Sequence, residues 1–116
     1  MGNATAAAPL GRKTAGSHFV DPGAGEWQET DAPGFLVKPI FQDGTTGAST
    51  MLMKIAPGAY APPHAHAQLE EIYVLEGTFA DEEHSYGPGQ YCLRAVGAMH
   101  TAASKDGCVV LLIYRP

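Results

Sequence analysis

The sequence predicts an all-β domain, and three features point to it. Fourteen glycines and nine prolines are spread through the 116 residues rather than gathered in one segment, a composition that favours many turns and short strands. No apolar period of the helical kind is sustained over three turns, which argues against a helical bundle. Several short runs are instead rich in β-branched, aromatic and aliphatic residues, notably Ser49–Ala56, Glu71–Glu76 and Cys108–Tyr114. At 12.2 kDa there is room for one modest core, hence one domain. Short strands at regular spacing with Gly/Pro turns indicate a sandwich or a barrel.

Taken in order, residues 1–16 are small, Ala-rich and without pattern, and are expected to be a flexible tail ahead of a domain at 17–116. His18 reads as a surface or interface residue. Strands are expected at Trp27–Thr30 and Phe35–Phe41 around an Asp31–Gly34 turn, followed by a Gly/Thr-rich loop at Gln42–Ala48. Ser49–Ala56 alternates so that Met51, Met53 and Ile55 share one face. Pro62 and Pro63 lack an N–H and fix φ, so the chain reaches His64 extended. The run from Glu71 to Glu76 reads as a second strand, antiparallel to the first across a short loop at Ala67–Leu69. Thr78–Glu82 continues as a strand; Asp81, Glu82, Glu83 and His84 look like a solvated turn, and Cys108–Tyr114 is the last strand.

The chemistry concentrates between Gly58 and Gly77. His64 and His66 stand two apart, so on a strand they share a face, about 6.6 Å from one another along the chain. Two imidazoles held that way can reach one metal ion. Two carboxylates follow at Glu70 and Glu71, and folding back would bring Glu70 to the histidines. His100, after a Gly-rich approach and before the apolar last strand, is the candidate fourth ligand. Three imidazoles and one carboxylate suit a borderline divalent cation such as Zn, Fe(II), Mn, Ni or Co. An isolated His-x-His pair, however, is as often a surface pair as a ligand pair, and a lone downstream His is more often solvated than metal-bound.

Charge narrows the partners. The net charge is −5 and the seven basic residues are scattered, which disfavours nucleic acid and anionic membranes. The N-terminus has no apolar run long enough for a signal peptide or a membrane span, so a cytoplasmic location is expected. Cys92 and Cys108 then read as reduced core thiols.

The spacing Gly58, five residues, His64, one, His66, three, Glu70, six, Gly77 resembles the first cupin motif at every fixed position, and Gly87-Pro88-Gly89 with His100 resembles the second. Trp27, Pro33-Gly34, Pro57-Gly58, Val74–Glu82, Tyr86, Gly89 and Gly107-Cys108 are similar to the ChrR-like cupins, which include the zinc-binding domain of certain anti-sigma factors. The second motif departs at Gln90 and Ala95, where the family pattern carries Asp and Pro, implying a less rigid approach to His100. The resemblance implies a double-stranded β-helix, a small jelly-roll barrel closed over a metal at its mouth. It makes His64, His66, Glu70 and His100 the ligands and favours Glu70 over Glu71. Met51, Met53 and Ile72 would then line the interior, with Tyr60, Gln68, Tyr91 and Arg94 near the entrance.

Such a barrel holds one small ligand. The resemblance implies a small-molecule enzyme, a dioxygenase-type oxidoreductase cleaving C–C bonds of a β-dicarbonyl or hydroxyketone, with Glu70 as ligand and proton acceptor. Two alternatives stand beside it: a metal-bound sensing module working through a separate partner, and a non-redox isomerase or cyclase. Exposed strand edges in so short a barrel also favour a homodimer.

Overall fold

Ten strands in two antiparallel sheets account for nearly all the regular structure in the computed structural model, which describes residues 16–116. In chain order these are β1 (Gln28–Glu29), β2 (Phe35–Gln42), β3 (Ser49–Ile55), β4 (Tyr60–His64), β5 (Leu69–Gly77), β6 (Phe79–Ala80), β7 (Ser85–Tyr86), β8 (Tyr91–Arg94), β9 (His100–Ala103) and β10 (Cys108–Arg115). One 3-10 turn, Pro22–Ala24, is the helical content of the described residues. No helix among them is long and apolar enough to cross a membrane. The expected tail at 1–16 lies outside the described residues except for Gly16.

The larger sheet has the order β1-β2-β3-β10-β5-β8, the smaller β4-β9-β6-β7. The all-β expectation therefore holds, and the strand boundaries fall within a few residues of those read from the sequence. One expectation needs correction. The histidine strand and the strand from Glu71 are expected to pair across Ala67–Leu69 as a hairpin, but β4 and β5 belong to different sheets: β4 pairs with β9, and β5 with β10 and β8. The loop between them crosses from one sheet to the other. Pro62 and Pro63 sit in an edge strand, at the register irregularity between Ala61 and His64, where their missing N–H groups are tolerated.

Alternation sets the interior. On β5, Glu70, Ile72 and Val74 are buried, and on β10 Cys108, Val110 and Leu112. Register places Leu112 opposite Ile72 and Val110 opposite Val74. Phe35 and Ile55 join them from β2 and β3, and Phe79 closes the core from the smaller sheet. The outer face near the N-terminus is covered by Trp27, over which Lys38 Nζ lies 4.8 Å from the ring centroid. Lys38 is itself buried and donates to the Pro22 carbonyl at 2.9 Å, so its charge is not left unpartnered.

The end of the barrel away from the histidines is tied by close backbone approach. Gly77 has φ 75° and lies against Gly107 and Cys108, while the buried Ser104 hydroxyl donates to the Thr78 carbonyl at 2.6 Å. A Cβ at Gly77 would collide with the Gly107 carbonyl oxygen and stand 2.7 Å from Cys108 Cα, whereas one at Gly58, with φ 82°, would meet open space. Gly77→Ala should thus cost at least ~2 kcal/mol of stability, and Gly58→Ala, strained only at φ, about 1 kcal/mol. Urea unfolding of both variants checks this; equal losses would mean that crowding against Gly107 is not the operative constraint.

Candidate metal centre

His64, His66, Glu70 and His100 all line one cavity of about 180 Å³ between the two sheets. β4 and β9 bring the first and last together, since His64 and His100 are register partners. His66 lies just past the end of β4, its ring 5.2 Å from that of His64 in an edge-on arrangement. Its Nε2 is 3.8 Å from Glu70 Oε2. The structure therefore gathers the four residues nominated from the sequence around a common space.

The imidazoles are oriented by their surroundings. His64 Nδ1 is 2.9 Å from the Pro62 carbonyl oxygen. A carbonyl only accepts, so that nitrogen carries the hydrogen and Nε2 keeps its lone pair. His100 Nδ1 is buried without a hydrogen-bond partner among the described residues, and Glu82 Oε1 lies 4.0 Å away. Among the described residues, Asp81, Glu82 and His100 form the one group of three whose donor atoms all fall within 4.8 Å of one another.

Glu70 is buried and held from three sides. Tyr114 donates to its Oε2 at 2.8 Å, His66 approaches the same oxygen, and Arg94 Nε is 3.5 Å from Oε1. Arg94 in turn donates through Nη2 to Asp81 Oδ2 at 3.0 Å. Glu71 points the other way: on the outer face its carboxylate accepts from Tyr91 at 2.7 Å and pairs with Arg115. Burial, followed by the charge of Glu70 and its hydrogen bond, pushes the Tyr114 hydroxyl well above the ordinary phenol range, so it remains a donor.

Glu70 and Arg94 are the carboxylate and guanidinium of the cavity lining; Asp81 pairs with Arg94 and Glu82 stands beside His100 just outside that lining, so the three carboxylates oppose a single guanidinium. That leaves a local formal charge of about −2, which one divalent cation neutralises. The donor set, three imidazoles and one buried carboxylate on one cavity, fits a metal of the borderline class.

Of the residues proposed for the pocket, Met53, Gln68, Ile72 and Arg94 line the cavity, and Met51, Tyr60 and Tyr91 do not. Met51 packs against the core, while Tyr60 and Tyr91 are exposed. Sequence reasoning offers the last strand as part of the inner wall without singling out Tyr114, although its phase with Leu112 and Val110 marks it as inward. It also misread Asp81 as solvated. The Asp81 side chain is only 1% exposed, and nothing local announces this because its partner Arg94 is distant in sequence. His84, in contrast, is exposed as expected.

The model of the ChrR cupin-like domain family matches residues 15–116. The anti-sigma factor ChrR of Rhodobacter sphaeroides, in its complex with SigE, aligns at 27% identity over 77% of this chain with a TM-score of 0.66. The chain spans about half of that structure's length, 49%. The polyketide cyclase RemF from Streptomyces resistomycificus aligns at 21% identity, covering 85% of this chain and 79% of its own, with a TM-score of 0.73. KdgF from a Halomonas species aligns at 24% identity, covering 86% and 94%, with a TM-score of 0.70. These likenesses show a common jelly-roll fold. No curated protein matches the chain.

Burial alone would raise the Asp81 pKa; the N–H groups of His84 and Glu83, the Arg94 guanidinium and the Tyr86 hydroxyl outweigh it and hold the carboxyl at about 2 against an ordinary 3.8. A depressed pKa means stability that is present above the unfolded value and lost as pH falls through the folded one. Asp81 should contribute about 2 kcal/mol at pH 7. Asp81→Asn should be correspondingly less stable at neutral pH, with the gap to wild type closing between about pH 4 and pH 2. A gap that does not change with pH in urea titrations would contradict the assignment.

Proposed function

The chain belongs to the ChrR cupin-like domain family, and from that premise we propose that it is a metal-binding enzyme acting on a small β-dicarbonyl or hydroxyketone by dioxygenase-type C–C cleavage. The observation that carries this reading is the convergence of three imidazoles and a buried carboxylate on one small cavity with largely apolar walls. His64, His66 and His100 would supply nitrogen ligands and Glu70 an oxygen. A divalent ion, whether Fe(II), Zn, Mn, Ni or Co, would contribute Lewis-acid polarisation of the substrate oxygens and, where redox-active, access to dioxygen chemistry.

The protein's own groups do the rest. Phe35, Met53, Ile72, Phe79 and Leu112 form an apolar wall that admits a compact uncharged skeleton and limits water. Glu70 accepts the acidic proton of the carbon between two carbonyls, and Tyr114 and Arg94 hold its carboxylate in place while it does so. A second reading, a metal-bound sensing module, is supported by the likeness to ChrR, which is found in complex with SigE. The free thiols Cys92 and Cys108 fit a reducing cytoplasm.

The test combines metal content with oxygen uptake. His64→Ala and His66→Ala should each lose the bound metal, Glu70→Gln should bind it more weakly, and Glu71→Gln should match wild type. Elemental analysis of protein purified without added metal reads all four. The Fe(II)-loaded wild type should then consume one dioxygen per β-diketone. Absence of uptake across a panel of diketones and hydroxyketones would favour the sensor, and substrate loss without uptake would favour a non-redox isomerase or cyclase.

We also propose a homodimer. Tyr73, Leu75, Tyr91 and Leu93 stand 41–55% exposed on the outward face of β5 and the edge strand β8, an apolar patch of the kind that a second subunit covers. Wild type should run at twice the chain mass in size-exclusion chromatography with light scattering. Leu93→Glu should run at the monomer mass, and an unshifted Leu93→Glu would place the interface elsewhere.

A further inference from the structure

The group formed by Asp81, Glu82 and His100 invites a second cation site, but its chemistry points elsewhere. Asp81 Oδ1 already accepts from the N–H groups of Glu83 and His84, both at 2.7 Å. Its Oδ2 takes hydrogen bonds from Arg94 at 3.0 Å and Tyr86 at 3.1 Å. A cation at that oxygen would sit against a guanidinium. Asp81 is therefore committed, and the acidic partner available to His100 is Glu82.

Glu82 is fixed in a definite position. Ala80 pairs with Ala103, so continuing the antiparallel ladder puts residue 82 opposite residue 101. At that place the Glu82 side chain takes the rung. Its Oε1 accepts from the Thr101 N–H at 3.0 Å and from the Thr101 hydroxyl at 3.1 Å. The same oxygen faces His100 Nδ1 at 4.0 Å, the buried nitrogen that lacks any hydrogen-bond partner among the described residues.

We propose that Glu82, anchored on Thr101, is the positioning residue that fixes the tautomer and ring orientation of His100. At 4.0 Å no hydrogen bond is closed, and the negative charge of Glu82 favours the hydrogen on the nearer nitrogen through its field. His100 then holds Nδ1–H toward Glu82 and presents the Nε2 lone pair to the cavity. His64 reaches the same state by another route, with Nδ1 directed at the Pro62 carbonyl. Two imidazoles that are register partners are thus set alike, one by a backbone oxygen and one by a side chain. A carboxylate charge behind the ring also raises the basicity of the outward nitrogen, as second partners of metal-binding histidines do. The consequence for metal affinity rests on the metal reading above; the tautomer itself does not.

Long-range proton–nitrogen NMR on the histidine-labelled, metal-free full chain tests the tautomer directly. His100 should carry its hydrogen on Nδ1 in wild type. Glu82→Ala should move it toward the Nε2–H form, and Glu82→Gln, whose amide oxygen carries only a partial negative charge, should fall between the two. Competition with a chromophoric chelator should find zinc bound roughly 10–100-fold more weakly by Glu82→Ala, with Glu82→Gln intermediate. Glu82 carries its charge at the surface and its variants should fold; circular dichroism verifies that. An Nε2–H tautomer in wild type, or one unchanged in Glu82→Ala, overturns the proposal. A tautomer that follows Glu82 in a protein whose zinc binding is indifferent to His100→Ala supports the positioning role and refutes the metal reading instead.

Discussion

The structure depends most on a chain of buried charge that joins the two sheets. Glu70 on β5, Arg94 on β8 and Asp81 just beyond β6 form a carboxylate–guanidinium–carboxylate series, with side chains 10%, 7% and 1% exposed. Such groups are costly to take out of water and are tolerated only when each is paired and hydrogen-bonded. Here the pairing is nearly complete: Tyr114 and Arg94 serve Glu70, while two backbone N–H groups, Tyr86 and Arg94 serve Asp81. Because Asp81 belongs to the smaller sheet's turn and Glu70 to the larger sheet, the series fixes how the sheets meet at the cavity. Apolar packing alone is not directional enough to do this.

The same series leaves an excess of carboxylate beside the cavity. Arg94 balances one of its two carboxylates, and Glu82 adds a further negative charge beside His100. Three imidazoles on β4, on the crossing loop and on β9 surround that excess. An excess of carboxylates favours cations over anions in its neighbourhood. Tyr114, Arg94, Pro62 and Glu82 set geometry, while the inward nitrogens and the Glu70 carboxylate face the space.

Much of this was legible in the chain. Strands β2, β3, β5 and β10 announce themselves by period and composition because they form the larger sheet and bury one face. Gly and Pro mark the turns. The histidine pair does meet at one cavity, although only His64 is on the strand and His66 lies just past the end of β4. What a local pattern cannot tell is which sheet a strand joins. β4 and β5 are neighbours in sequence yet pair with strands forty residues downstream. The burial of Asp81 was hidden for the same reason: among three following polar residues it resembles any solvated turn, and only the tertiary approach of Arg94 distinguishes it. Met51 illustrates a third limit, since a side chain in the right phase can still end beside the cavity rather than in it, while Tyr91 lies out of phase with Arg94, on the outward face of β8.

The choice between two adjacent glutamates shows how tightly these levels are bound together. A shift of one residue along β5 would exchange every inward and outward side chain. Ile72 and Val74 are 2% and 1% exposed, so their burial locks the phase, and with it Glu70 is forced inward. Left alone, that carboxylate would oppose folding. Arg94 is its direct cross-strand partner in the β5–β8 register, and Tyr114 is its partner across the β5–β10 ladder. The ladders that hydrophobic burial selects are therefore the ones that deliver a cation and a hydroxyl to the buried acid, while Glu71, on the opposite face, finds Tyr91 and Arg115 among its exposed neighbours. Core packing and site assembly are one constraint expressed on alternate residues, and no register satisfies one without the other.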